Sequence, residues 1–166
     1  MPRMVKKAAG TPATALLTAE RVAHTLHPYD VSPDAPQYGA LVAQALGVEP
    51  HRLFKTLVAE VDGRLVVGVV PVTGDLDLKA LASAAGGKRA ILADRAAAER
   101  SSGYVRGGIS PLGQRKLLPT VIDDSATGLE TMYVSAGRRG LQVALAPVDL
   151  IRLTGATVAP IRAAGS

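Results

Sequence analysis

Hydrophobic positions in this chain fall into short runs divided by glycine, proline and acidic residues. The clearest pattern is a pair of Val- and Leu-rich runs, Leu53 to Val61 and Leu65 to Val72, with Asp62-Gly63 in the gap between them. This predicts two antiparallel strands joined by a tight hairpin, because Asp-Gly tolerates the positive φ angles that the favoured turns need. Upstream, Thr11-Pro12 opens a predicted helix with Leu16 and Leu17 facing inward. Thr is a good N-cap and Pro fits the first helical position. Val22 to Asp30 reads as extended, since Pro28 opposes helix. Ser32 to Pro36 reads as a loop, and Tyr38 to Leu46 as a helix stopped by Gly47.

Downstream, Asp77 to Ala85 and the segment from Asp94 to near Gly103 read as Ala-rich helices, with a short strand at Ala90 to Ala93 between them. Gly103 to Gly113 is a glycine-dense loop containing Pro111. Thr120 to Ile122, Thr131 to Ser135 and Leu141 to Ala146 are predicted strands. Pro147 to Leu153 is a predicted helix, and a brief strand follows near Val158. No repeat or linker divides this order. It predicts a compact α+β domain with a mixed sheet over residues 11–163, preceded by a mobile basic tail at residues 1–10.

Composition narrows the chemistry. At 166 residues the chain is one domain's worth. With one Phe and no Trp, the core must be Ala, Val and Leu. The absence of cysteine excludes disulfides, thiolate metal sites and a cysteine nucleophile. The longest uncharged apolar run, Leu65 to Val72, falls far short of the roughly 20 residues of a membrane helix. No apolar stretch follows the positive N-terminus MPRMVKKAAG, so it is no secretory signal. The expected compartment is the cytoplasm, with no membrane partner. Net charge is +5, and Arg3, Lys6 and Lys7 carry much of it. A second concentration lies at residues 86–116: Lys88, Arg89, Arg95, Arg100, Arg106, Arg115 and Lys116 against Asp94 and Glu99. Such a surface can steer a polyanion, or be merely solvated helix and loop charge.

Several catalytic arrangements are ruled out. His24 and His27, on an extended segment, point to opposite faces, and His51 has no evident partner, so no metal site is expected. Gly108 to Gly113 has phosphate-loop spacing, but Gln114-Arg115 stands where Lys-Ser/Thr is required. Pro111 follows Ser110 and has no N–H to stabilise an oxyanion, so Ser110 is not an elbow nucleophile. Asp123-Asp124 diverge as sequence neighbours and read as a polar turn. Lys55 stands out, because it shares a strand face with Leu53 and Leu57. A lysine there either snorkels at a sheet edge or meets an anion. The residues alone describe an anion-binding pocket of unstated purpose.

Four segments carry a resemblance: Phe54-Lys55-Thr56-Leu57, Gly74 to Lys79, Ser102 to Gln114 and Tyr133 to Leu141. In this order and spacing they resemble the YbaK/EbsC family, free-standing relatives of the editing domain of bacterial prolyl-tRNA synthetases. The resemblance runs from about Thr11 to Arg162. It implies a curved, barrel-like mixed sheet flanked by helices. With Tyr29, the Gly103 loop and the Ser135 turn, it is most similar to the family's Cys-tRNA(Pro) deacylases. The implied substrate is tRNA(Pro) mischarged with cysteine, and Cys-tRNA(Cys) is a further possible one. No cofactor and no metal are implied.

The implied chemistry is attack of the substrate's own thiol on its ester, the protein only orienting it and stabilising charge. By this resemblance Lys55 and Gly107 are catalytic, Lys55 holding the 3′-terminal nucleotide and Gly107 letting backbone amides approach the ester. Tyr29, Thr56, Gly108, Ile109, Ser110, Pro111 and Ser135 line the substrate site. Gln142 departs from members that carry an acid at that position. A transient complex with prolyl-tRNA synthetase is the implied partner. Two alternatives stay open: deacylation of another mischarged tRNA such as Ala-tRNA(Pro), and a non-catalytic module that binds tRNA or synthetase.

Overall fold

The central hairpin is β2 (Phe54–Val61) and β3 (Arg64–Pro71), reached from β1 (His24–Pro28) through helix α2 (Tyr38–Leu46). Its turn has φ +50° at Asp62 and +85° at Gly63, as the sequence predicts. Both Asp62 carboxylate oxygens accept backbone N–H bonds from Lys88 and Arg89, at 2.9 and 3.0 Å. These bonds pin the entry to β5 (Ala90–Leu92) and hold the Asp62 pKa below its ordinary value. The computed structural model describes residues 10–164. The basic tail expected at residues 1–10 therefore lies almost wholly outside the described residues.

Strand β3 is buried on both faces, which explains its unbroken apolar run. Val67 and Val69 enter one core cluster, Val66 and Val70 another. The strand lies mid-sheet in the order β5-β2-β3-β6-β9, with β6 Thr120–Asp123 and β9 Thr157–Ala159 parallel beside it. A second sheet, ordered β1-β8-β7, contains β7 (Met132–Arg138) and β8 (Leu141–Leu145). The main core lies between the two sheets: Phe54, Val58 and Ile122 meet Met132, Val134 and Val143, closed by Leu17 and Leu150. Leu17 comes from α1 (Pro12–Ala19) and Leu150 from α5 (Pro147–Thr154), which follows α4 (Arg95–Ser102) in the chain. Thr11 caps α1 as predicted, exchanging bonds with Thr14 and donating to Ala136 O at 2.6 Å. The other face of the large sheet is covered by α3 (Leu78–Ala84) through Leu81 and Ala82.

Two short strands escaped the sequence reading: β4 (Gly74–Leu76) and β10 (Arg162–Ala164), which pair antiparallel. The α+β class holds, but the sheets do not close into the implied barrel. Strands β1 and β9 are free edges, and β4 and β10 form a separate ribbon. Nor is Asp123 only a turn residue. It is buried, and its carboxylate accepts from Ile161 N and Arg162 N at 2.9 and 3.0 Å and from Ser125 N and Oγ at 3.2 and 2.5 Å. It ties the C-terminal strand to β6.

Candidate active site

Strand alternation builds the site. An isolated parallel bridge joins Leu53 to Tyr133, so the Leu53–Lys55 face of β2 continues onto the face of β7 that carries Tyr133 and Ser135. Ser135 pairs with Gln142 on β8, which pairs with His27 on β1. Lys55, Ser135 and Gln142 thus share a side, opposite the main core. Helix α2 covers part of it, packing Val42 and Ala43 with Leu53, Tyr29 and Tyr133.

Between α2 and this face lies a cavity of about 670 Å³. Its walls include Lys55 and Thr56 of β2, Asp75 of β4, and Ser135 and Gln142. Arg106, Gly107 and Ile109 of the glycine-rich loop close another side, and Gln37 to Ala40 a third. Lys55 Nζ sits at the mouth, 3.5 Å from Asp75 Oδ1 in a half-exposed ion pair.

Donors line the walls. Gln37 makes no side-chain cap for α2, so the amides of Tyr38, Gly39 and Ala40 are free of helical acceptors. The Gly107 and Ile109 amides likewise have no acceptor among the described residues. Gly107 has φ +86°, a conformation that favours glycine. Hydrogen bonds close the loop. Arg115 N and Lys116 N donate to Ser102 O and Ser101 O, and the Tyr104 hydroxyl donates to Leu112 O at 2.6 Å. Burial pushes the Tyr104 pKa up to about 12, keeping that donor protonated.

The residues singled out in sequence separate into two groups. Lys55, Thr56, Gly107, Ile109 and Ser135 line the cavity. Gly108, Ser110 and Pro111 build its loop instead. A Cβ on Gly108 would stand 2.7 Å from the Arg138 carbonyl carbon, so glycine permits loop and hairpin to touch. Ser110 is fully buried, its Oγ accepting from Leu112 N at 3.1 Å. Pro111 lines a smaller hollow elsewhere. Tyr29 supports a wall from behind: its hydroxyl meets that of Tyr38 at 2.6 Å. Burial, then this bond, pushes the Tyr38 pKa upward, so the cavity-lining phenol stays neutral.

His24 bonds Val22 O and His27 bonds Thr25. No group of three metal-ligating side chains occurs among the described residues. Ser135 has no base beside it, its Oγ instead accepting from Gly137 N at 3.2 Å. The arrangement can grip an anion at its mouth and present backbone donors to an oxyanion. Among the described residues that line it, no serine or threonine hydroxyl is hydrogen-bonded to a histidine or a carboxylate.

The sequence matches the aminoacyl-tRNA editing domain family over residues 33–153, a stretch that contains most of the cavity's lining. The chain belongs to that family. It is 43% identical over 122 residues to "Putative Cys-tRNA(Pro)/Cys-tRNA(Cys) deacylase EbsC" of Enterococcus faecalis, covering 72% of this chain and 74% of that protein. The fold resembles the crystal structure of hypothetical protein APE2540 at TM-score 0.81 and 23% identity, over 92% of this chain and all (100%) of that one. It also resembles that of "a putative trans-editing enzyme for prolyl tRNA synthetase" at TM-score 0.78 and 23% identity, over 93% and 98% of the two chains.

Proposed function

We propose that this protein is a trans-editing deacylase that clears cysteine from mischarged tRNA(Pro), and acts on Cys-tRNA(Cys) as well. The observation that carries the reading is a donor-lined cavity with a lysine at its mouth and no activated nucleophile in its walls. The Enterococcus faecalis relative's name supports the substrate. A cavity of this kind suits a substrate that brings its own nucleophile. Lys55 holds a phosphate or ribose oxygen of the 3′-terminal nucleotide. The Gly107 and Ile109 amides face the ester carbonyl as negative charge develops there.

In this mechanism the cysteine sulfur bonds to its own carbonyl carbon, and the bond from that carbon to the ribose 3′ oxygen breaks. The thiol proton passes to the departing ribose oxygen, leaving a thiolactone and free-ended tRNA. The tethered thiol supplies the effective concentration that an enzyme nucleophile otherwise would. Proline has no thiol, so correctly charged tRNA(Pro) survives. Prolyl-tRNA synthetase, in a transient cytoplasmic complex, supplies the tRNA choice that this small domain lacks.

The test is turnover of Cys-, Ala- and Ser-tRNA(Pro), with and without prolyl-tRNA synthetase, while trapping the first product. Cysteine preference and a trapped thiolactone are expected. Preference for alanine overturns the mechanism, and binding without turnover of any of the three overturns the enzyme.

A further inference from the structure

The cavity holds a feature that the mechanism above does not use. Gln142 lines it at 6% exposure, and its side-chain carbonyl Oε1 is buried with no partner. Thr56 lines it at 9% exposure, and its Oγ1 is also buried and unpartnered. Buried polar atoms are seldom left unpaired, because each forgoes its hydrogen bonds to water. These are the two such side-chain atoms among the described residues, and both belong to one cavity. Ser135, directly across the β7–β8 ladder from Gln142, adds a second hydroxyl to the same cavity.

The wall is neutral. Asp75 is the one carboxylate among the lining residues, and it sits exposed at the mouth, facing Lys55. The charged end of the cavity is therefore the mouth, and the buried end offers uncharged oxygens. Gln142 Oε1 can only accept, so its missing partner is a donor.

We propose that Gln142, with Thr56 beside the same cavity, is a neutral receptor for the unblocked α-amino group of the bound aminoacyl ester. The inference rests on the deacylase reading. If the nucleotide is held at the mouth, the aminoacyl group is the part that reaches the buried wall. Its strongest donor is the amino group, since a thiol donates weakly and a charge-assisted N–H bond is roughly twice as strong as a neutral one. A carbonyl of fixed position then selects esters with a free amine. An N-acylated amine keeps one N–H and adds bulk to an already packed wall. Gln142 is thereby a specificity-determining residue, and it fixes the rotation about Cα that points the thiol at the carbonyl.

The experiment compares Cys-tRNA(Pro) with N-acetyl-Cys-tRNA(Pro). Acetylation leaves thiol and ester intact, so self-attack remains chemically possible. The unaltered protein is expected to lose about 30-fold or more in kcat/KM on the acetylated ester, the scale of a buried charge-assisted bond. Gln142→Met, near-isosteric and checked for folding by circular dichroism, is expected to lose about as much on the free amine, chiefly in KM, and little on the acetylated ester, so the ratio collapses. Gln142→Glu, which keeps the acceptor, is expected to retain the preference. Equal turnover of both esters by the unaltered protein overturns this inference alone. So does Gln142→Met with undiminished preference. No turnover of Cys-tRNA(Pro) overturns the deacylase reading, and this inference with it.

Discussion

Lys55→Ala separates an anion-binding lysine from a snorkelling edge-strand lysine. Among the described residues its ionic partner is Asp75, at 3.5 Å, with the two side chains 35% and 72% exposed. An exposed pair of that geometry contributes about 0–1 kcal/mol, so removing it barely changes the melting temperature. A substrate phosphate gripped by the same ammonium is a charge-assisted contact of about 1.5–3 kcal/mol, or about 10- to 150-fold in kcat/KM. Asp75 competes for the lysine, so Asp75→Asn leaves kcat/KM unchanged or raises it. The assay is single-turnover deacylation of Cys-tRNA(Pro), paired with thermal unfolding of each variant. A Lys55→Ala protein that keeps full kcat/KM refutes the reasoning. A loss of stability of about 2 kcal/mol or more, with a matched loss of activity, assigns the residue to the fold instead.

Other outcomes follow from single contacts. Asp123→Ala orphans the buried Ile161 amide and frees β10, costing about 3 kcal/mol in urea unfolding; a loss below about 1 kcal/mol would contradict the staple. Gly107→Ala forces an L side chain to φ +86° beside Arg139, which lowers stability by about 1 kcal/mol and cuts deacylation at least about tenfold. The Asp62 pKa is depressed in the fold by the Lys88 and Arg89 amides, so its stabilising effect is present above the unfolded carboxyl pKa of about 3.9 and lost as pH falls through the folded value. Asp62→Asn therefore melts below the parent protein at neutral pH and converges on it under acid; a constant gap across that range would contradict the linkage.

What the sequence disclosed follows the reach of each signal. The β2–β3 hairpin was readable because its instruction is local: two apolar runs and Asp62-Gly63. The same holds for the caps Thr11 and Asp94, each accepting from a backbone amide three residues on, whereas Asp77, read as the first residue of its helix, is its cap. Strands β4 and β10 were not readable, because each is three residues long and its partner lies far along the chain. Asp123 looked like a turn residue because its acceptors' partners, Ile161 and Arg162, lie 38 and 39 residues away. Within the site, Lys55 announced itself as a charge in an apolar strand. Gln142 drew notice only through the family resemblance, since a neutral amide in Leu141-Gln142-Val143 reads as ordinary strand alternation. Helix α2 itself is predicted from Tyr38, but its part in the site was hidden for a different reason. Its wall is made of backbone amides, and the signal was an absence, a helix opening at Gln37-Tyr38 with no Ser, Thr, Asp or Asn to cap it.

The central claim is that the bound cysteine cuts its own ester. Its most direct test is tRNA(Pro) charged with 2-aminobutyrate, in which a methyl group replaces the thiol at nearly unchanged size. The account predicts binding close to that of Cys-tRNA(Pro) and no deacylation above the uncatalysed rate. Cleavage at the cysteine rate would contradict it.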